Sequence, residues 1–80
     1  MIMMADSMPL NTALTGQNLV YLGVQDGGHR LAHRLAEMGL TPGQPLEVVN
    51  RSGGPFIVSV RGTRLVLGRG MVRRILVRAT

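Results

Sequence analysis

Along most of this chain apolar and polar residues alternate with a period of two, and in one place the rhythm becomes helical. From His29 onward, Leu31, Leu35 and Met38 share one stripe at 100° per residue, flanked by Ala32 and Ala36. Arg30, Arg34 and Glu37 lie on the opposite side. The pattern predicts a short amphipathic helix over residues 29–38. Gly39 stands where a left-handed residue ends a helix, and Leu40 would then touch Leu35 in a Schellman motif. Thr41-Pro42-Gly43 suits a type II turn, because Pro presets φ and Gly accepts a positive one. Asp26-Gly27-Gly28 reads as the turn and N-cap region, with the Asp carboxylate able to accept an unpaired backbone N–H. A lone helix of this length is marginal in water, so its apolar stripe must lie on something.

That something is a sheet. Strands are predicted over residues 18–24, 46–51, 56–61, 64–67 and 74–78. In the first, Leu19, Tyr21 and Gly23 share one face and Val20, Leu22 and Val24 the other. Pro45 belongs at a strand start, where it costs no ladder bond. The tract 51–55 is a hairpin loop, Gly62-Thr63 closes a tight turn, and 68–73 has room for only a helical turn. The inward set is Leu46, Val48, Phe56, Val58, Val60, Leu65, Leu67, Ile75 and Val77. Val49, Ile57, Val66 and Leu76 then face outward. They are either covered by the helix and the N-terminal strand or left as an apolar, Arg-rimmed patch of the kind that marks a partner or a self-association surface. Five short strands, tight Gly turns and one inserted helix predict a mainly β fold, a small SH3-like barrel of five strands.

With 80 residues the chain makes one domain, here 8–80, behind a frayed tail over 1–7. A domain this small buries about 60–65% of its unfolded surface, and with no cysteine it has no disulfide and no thiolate metal site. No apolar run approaches the roughly 20 residues that span a bilayer, and the N-terminus lacks the basic and apolar regions of a signal peptide. The expected location is the cytoplasm, with no membrane insertion.

Charge sharpens the picture. The net charge is +5, and all nine basic residues are arginines, opposed only by Asp6, Asp26, Glu37 and Glu47. Arginine forks match carboxylates and phosphates, so one reading is an acidic partner and the other is plain solubility. Tyr21 and Phe56 are the only aromatics, too few to stack nucleotides, so nucleic acid is not the expected partner. Catalysis fails on inventory. There is no Cys, the serines have no His and carboxylate patterned near them, and the four acids are scattered. Gly68-Arg69-Gly70 and Gly53-Gly54 lack the lysine and following helix of a phosphate loop. His29, His33 and Glu37, spaced i, i+4, i+8, are the one metal candidate. Two imidazoles a turn apart can chelate a divalent iron or zinc ion, and the carboxylate could complete the set. They are equally well explained as a solvated helix face, with Glu37 pairing Arg34 or Arg30. No cofactor is required by this reading.

The run 34–43, Arg-Leu-Ala-Glu-Met-Gly-Leu-Thr-Pro-Gly, followed by Leu46-Glu47-Val48-Val49, closely resembles the signature of the FeoA family. Met8-Pro9-Leu10, the hairpin 60–67 and Ile75-Leu76-Val77 match as well, so the resemblance spans residues 8–77. It implies an SH3-like barrel without catalysis of its own, working in the cytoplasm with the FeoB ferrous-iron transporter at the inner membrane. Similar domains end iron-dependent repressors, which leaves a second reading: a stand-alone regulatory module for a metalloregulator, a metal or a nucleic acid. Two departures stand out. Thr15-Gly16 replaces the family's Pro-Gly turn, and Gly68-Arg69-Gly70-Met71-Val72 replaces an acidic turn. The residues expected to meet the partner are Arg30, Arg34 and Glu37 on the helix and Arg61 and Arg64 on the hairpin. Self-association is a further expectation.

Overall fold

The computed structural model describes residues 7–25 and 27–80, so the Asp26 cap and most of the frayed tail lie outside the described residues. The strands are β1 (Ser7–Pro9), β2 (Asn18–Val24), β3 (Pro45–Asn50), β4 (Phe56–Val60), β5 (Thr63–Leu67) and β6 (Ile75–Ala79). They form one antiparallel sheet in the order β1-β6-β2-β3-β4-β5. Helix α1 (His29–Glu37) follows β2, a short α2 (Arg69–Val72) joins β5 to β6, and a 3-10 turn (Leu10–Thr12) follows β1. The mainly β, SH3-like arrangement is as expected, with six strands instead of five. The added strand, β1, is three residues long and contains a proline, so no alternation announces it. It is held as an edge by pairing Ser7, Met8 and Pro9 with Arg78, Val77 and Leu76. The two edges, β1 and β5, are not paired with each other among the described residues, so the barrel stays open. Across that opening, α2 packs against the 3-10 turn.

Every residue of the expected inward set is buried: Leu46, Val48, Phe56, Val58, Val60, Leu65, Leu67, Ile75 and Val77. Leu10, Ala13, Leu19, Tyr21, Leu31, Leu35, Leu40 and Val72 complete the same core. Each large side chain so buried removes apolar surface worth about 1.5–3 kcal/mol.

Two positions depart from the alternation and the stripe. In β2 a bulge between Tyr21 and Gly23 shifts the register against β6. Beyond it Val24, not Gly23, packs on the core, while Leu22 points out. In α1 the stripe ends with Leu35, and Met38, expected inside, is 40% exposed. The reason is the helix stop. Gly39 adopts φ +92, its N–H reaches the Ala36 carbonyl (3.0 Å), and the Leu40 N–H reaches Leu35 (2.8 Å). That is the full Schellman pattern, and it delivers Leu40 into the core where Met38 would have been. The turn after it closes with Gln44 N–H to Thr41 O (2.9 Å) and is bound to β2 by Gly43 N–H to Tyr21 O (2.7 Å). The N-cap is Gly28, with no side-chain cap bond.

Candidate functional site

Packing its Leu face on the sheet leaves α1 with Arg30, His33, Arg34 and Glu37 in solvent. Arg30 and Arg34 stand one turn apart and border two clefts. One, of about 360 Å³, is shared with His29 and His33. The other, of about 330 Å³, lies between α1 and α2, where Leu31, Met71 and Arg74 join them. The second is a groove with an apolar floor and three guanidinium groups on its rim. Arg74 was not among the expected contact residues. It precedes β6 in sequence, and only the fold carries it beside α1.

Of the three candidate metal ligands, His33 and Glu37 come together, with Nδ1 and Oε2 3.7 Å apart. His29 lies one turn back and shares its cleft with His33 and with the cations Arg30 and Arg34. Among the described residues, no three His, Cys, Asp or Glu side chains gather as a metal-holding group.

The hairpin arginines occupy a separate place. Arg61 and Gly62 form the two-residue β4–β5 turn, both at positive φ (+54 and +80), as a type I′ hairpin demands. Arg61 is thus an arginine where Asn or Gly is the usual choice. Arg64 pairs with Ser59, and Val66 with Ile57, on the outer face of the sheet. Val66 is 66% exposed, so part of the outward apolar set is left open beside Arg64, while Val49, Ile57 and Leu76 are half-buried. The clefts that hold Arg30 and Arg34 include neither Arg61 nor Arg64.

A third group of arginines lies where α2 meets the 3-10 turn. Arg51, Arg69 and Arg73 line a cleft of about 470 Å³ with Asn11, above Phe56 and Val72. Arg51 Nη2 donates to the Asn11 carbonyl (3.0 Å), and Arg69 Nη2 donates to the Gly54 carbonyl in the β3–β4 loop. The one sequence signal was the i, i+4 spacing of Arg69 and Arg73. Its meaning depends on Arg51 and Asn11, distant in the chain.

No helix among the described residues is long and apolar enough to cross a membrane. A sequence model of the FeoA domain family matches residues 8–79. The "Putative Fe(2+) transport protein A" of Methanocaldococcus jannaschii is 33% identical over 69 residues, covering 86% of this chain and 83% of its own. The crystal structure of an iron uptake regulatory protein, FeoA, superposes with a TM-score of 0.80 at 36% identity, over 92% of this chain and 97% of that one. A manganese-dependent transcriptional repressor shares the fold at 18% identity (TM-score 0.80), over 92% of this chain and 42% of the repressor.

Proposed function

Since the chain belongs to the FeoA domain family, we propose that it is a non-enzymatic accessory protein of ferrous-iron uptake, docking in the cytoplasm on a FeoB-type transporter. The observation that carries this reading is the groove between α1 and α2, with Arg30, Arg34 and Arg74 around Leu31 and Met71. Apolar floor with charged rim is the anatomy of a protein-binding patch, and the arginines select an acidic partner and speed its approach. Glu37 at the far end of α1 sets polarity along the helix. Arg61 and Arg64, beside exposed Val66, offer a second contact. The arginine in the left-handed turn position supports a role for that side chain, because a non-glycine residue held at positive φ is a site of strain of the kind that clusters at functional positions.

The test is a pull-down against the transporter's cytoplasmic domain. An Arg30→Glu/Arg34→Glu variant, shown folded by its circular dichroism, should lose binding; unchanged binding would remove the surface assignment. Loss of iron uptake on gene deletion, restored by the wild-type gene and not by this variant, tests the biological role. A metal part of the reading rests on His29 and His33, with Glu37 in reach of the second. Two imidazoles fill only half of a tetrahedral zinc site, so zinc should bind weakly to the wild type and not to His29→Ala/His33→Ala. Equal affinities would remove the chelate.

A further inference from the structure

We infer that the cleft between the 3-10 turn and α2 is a phosphate-binding site, formed by Arg51, Arg69, Arg73 and Asn11, for the phosphate group of a small soluble ligand. This assignment stands apart from the docking reading, since it uses none of Arg30, Arg34, Glu37, Arg61, Arg64 or Arg74.

Charge is the first argument. Three guanidinium groups line one concave surface, and no described carboxylate shares the cleft. Glu37 is engaged with His33 on α1, and Glu47 lies in a different cleft with Asn18 and Ser59. Like charges gathered in a concavity, with apolar Phe56 and Val72 beneath them, focus a positive potential that attracts an anion.

Unmet hydrogen bonding is the second argument. Arg51 is anchored through Nη2 to the Asn11 carbonyl, yet its Nε is buried without a partner. Asn11 Oδ1 is likewise buried and unpartnered. Buried polar groups are ordinarily paired, and each orphan calls for an explanation. One oxyanion answers both, once the Arg51 and Asn11 side chains turn toward the cleft and expose these buried atoms. Arg51 Nε–H donates to it directly, and the Asn11 amide, turned by 180°, presents its NH2 group in place of the oxygen.

The number and reach of donors decide the class of anion. Arg69 and Arg73 add fork-shaped donors from a third segment, so donors from three separate parts of the chain line the cleft. A tetrahedral phosphate spreads its oxygens to match, whereas a carboxylate offers one planar pair. The cleft volume, about 470 Å³, falls within the range of small-molecule sites, and it leaves room for an organic group over Phe56. Arg69 also holds the Gly54 carbonyl, so a bound phosphate would fix the β3–β4 loop as well.

The test uses the full chain, labelled with ¹⁵N and titrated with inorganic phosphate at constant ionic strength set by sodium chloride. Saturable shifts of the Arg51 Nε–H signal and of the Gly54 and Arg69 amides are expected. Arg69→Gln and Arg73→Gln change exposed side chains, and each should weaken binding by about tenfold, as loss of a charge-assisted contact does. Arg61→Gln/Arg64→Gln should leave it unchanged. Shifts that never saturate, or equal weakening by the hairpin pair, would overturn the site in favour of diffuse charge. Two further arms separate the sources of phosphate. Phenyl phosphate saturating the same signals supports a soluble ligand. Sedimentation with phosphatidylglycerol vesicles that depends on Arg69 and Arg73, without any response to inorganic phosphate, would overturn it.

Discussion

Gly28 has no room for a side chain. A Cβ there would lie 2.5 Å from Val24 Cγ2 and 2.9 Å from the Gln25 carbonyl oxygen. Its φ of −85 is open to any residue, so the constraint is steric alone. Gly28→Ala should therefore cost about 1–3 kcal/mol, as overpacking does, read as a lower urea midpoint. Tyr21 offers a pH-dependent counterpart. Burial pushes its phenol above the usual 10, because the phenolate is poorly solvated there. Below about pH 10 the group is neutral in both folded and unfolded chains and adds no pH dependence. Above it the unfolded chain loses the proton first, so stability should fall as pH climbs through 10 toward the folded-state pKa. Between about pH 9 and pH 11 the urea midpoint should drop more for the wild type than for Tyr21→Phe. Equal slopes would remove Tyr21 as the cause.

Among the elements, α1 was the most legible. Its stripe, its glycine stop and the turn after it could all be read from residues 29–43, since they are local effects of side-chain spacing and backbone freedom. The exposure of Met38, against its place in the stripe, has the same local origin. Periodicity extrapolates the stripe by one step, while the left-handed turn at Gly39 redirects the chain before that step is used. At Gly39 no atom lies within 4 Å of an added Cβ, so Gly39→Ala pays only for the left-handed backbone. A loss of about 1 kcal/mol and a Tm lower by roughly 4–8 °C are expected in a thermal melt. In β2 the alternation was right up to Tyr21 and failed at the bulge. A bulge is decided by the partner strand, and nothing between residues 18 and 24 records where β6 slips.

Across the whole molecule eight of the nine arginines fall into three groups: the α1–α2 groove, the β4–β5 hairpin, and the cleft between Asn11 and Arg73, with Arg78 apart on β6. Among the described residues the one close contact of a carboxylate with a basic group joins His33 to Glu37, so no arginine is paired with a described carboxylate. With a net charge of +5, self-repulsion should weaken the fold at low salt. Raising sodium chloride from about 0.01 M to about 0.1 M shortens the screening length from ~30 Å to ~10 Å. The Tm should rise by roughly 2–4 °C, the equivalent of about half a kcal/mol. A flat or falling Tm would show that the arginines are farther apart, or better paired, than their number suggests.

The sequence by itself determined the inward set of β3 to β6, the helix and its stop, and the resemblance that places the chain in its family. All of these rest on spacing within a few residues, which sterics and solvent enforce before any long-range contact forms. It also nominated Arg30, Arg34, Arg61 and Arg64 as exposed charges. Tertiary structure alone decided which charges meet. It added β1 through pairing with β6, brought Arg74 beside α1, and set Arg51 against Asn11 forty residues away in the chain. Convergence of that kind depends on where α2 and the 3-10 turn cross the open edge of the sheet, and no local pattern encodes that crossing.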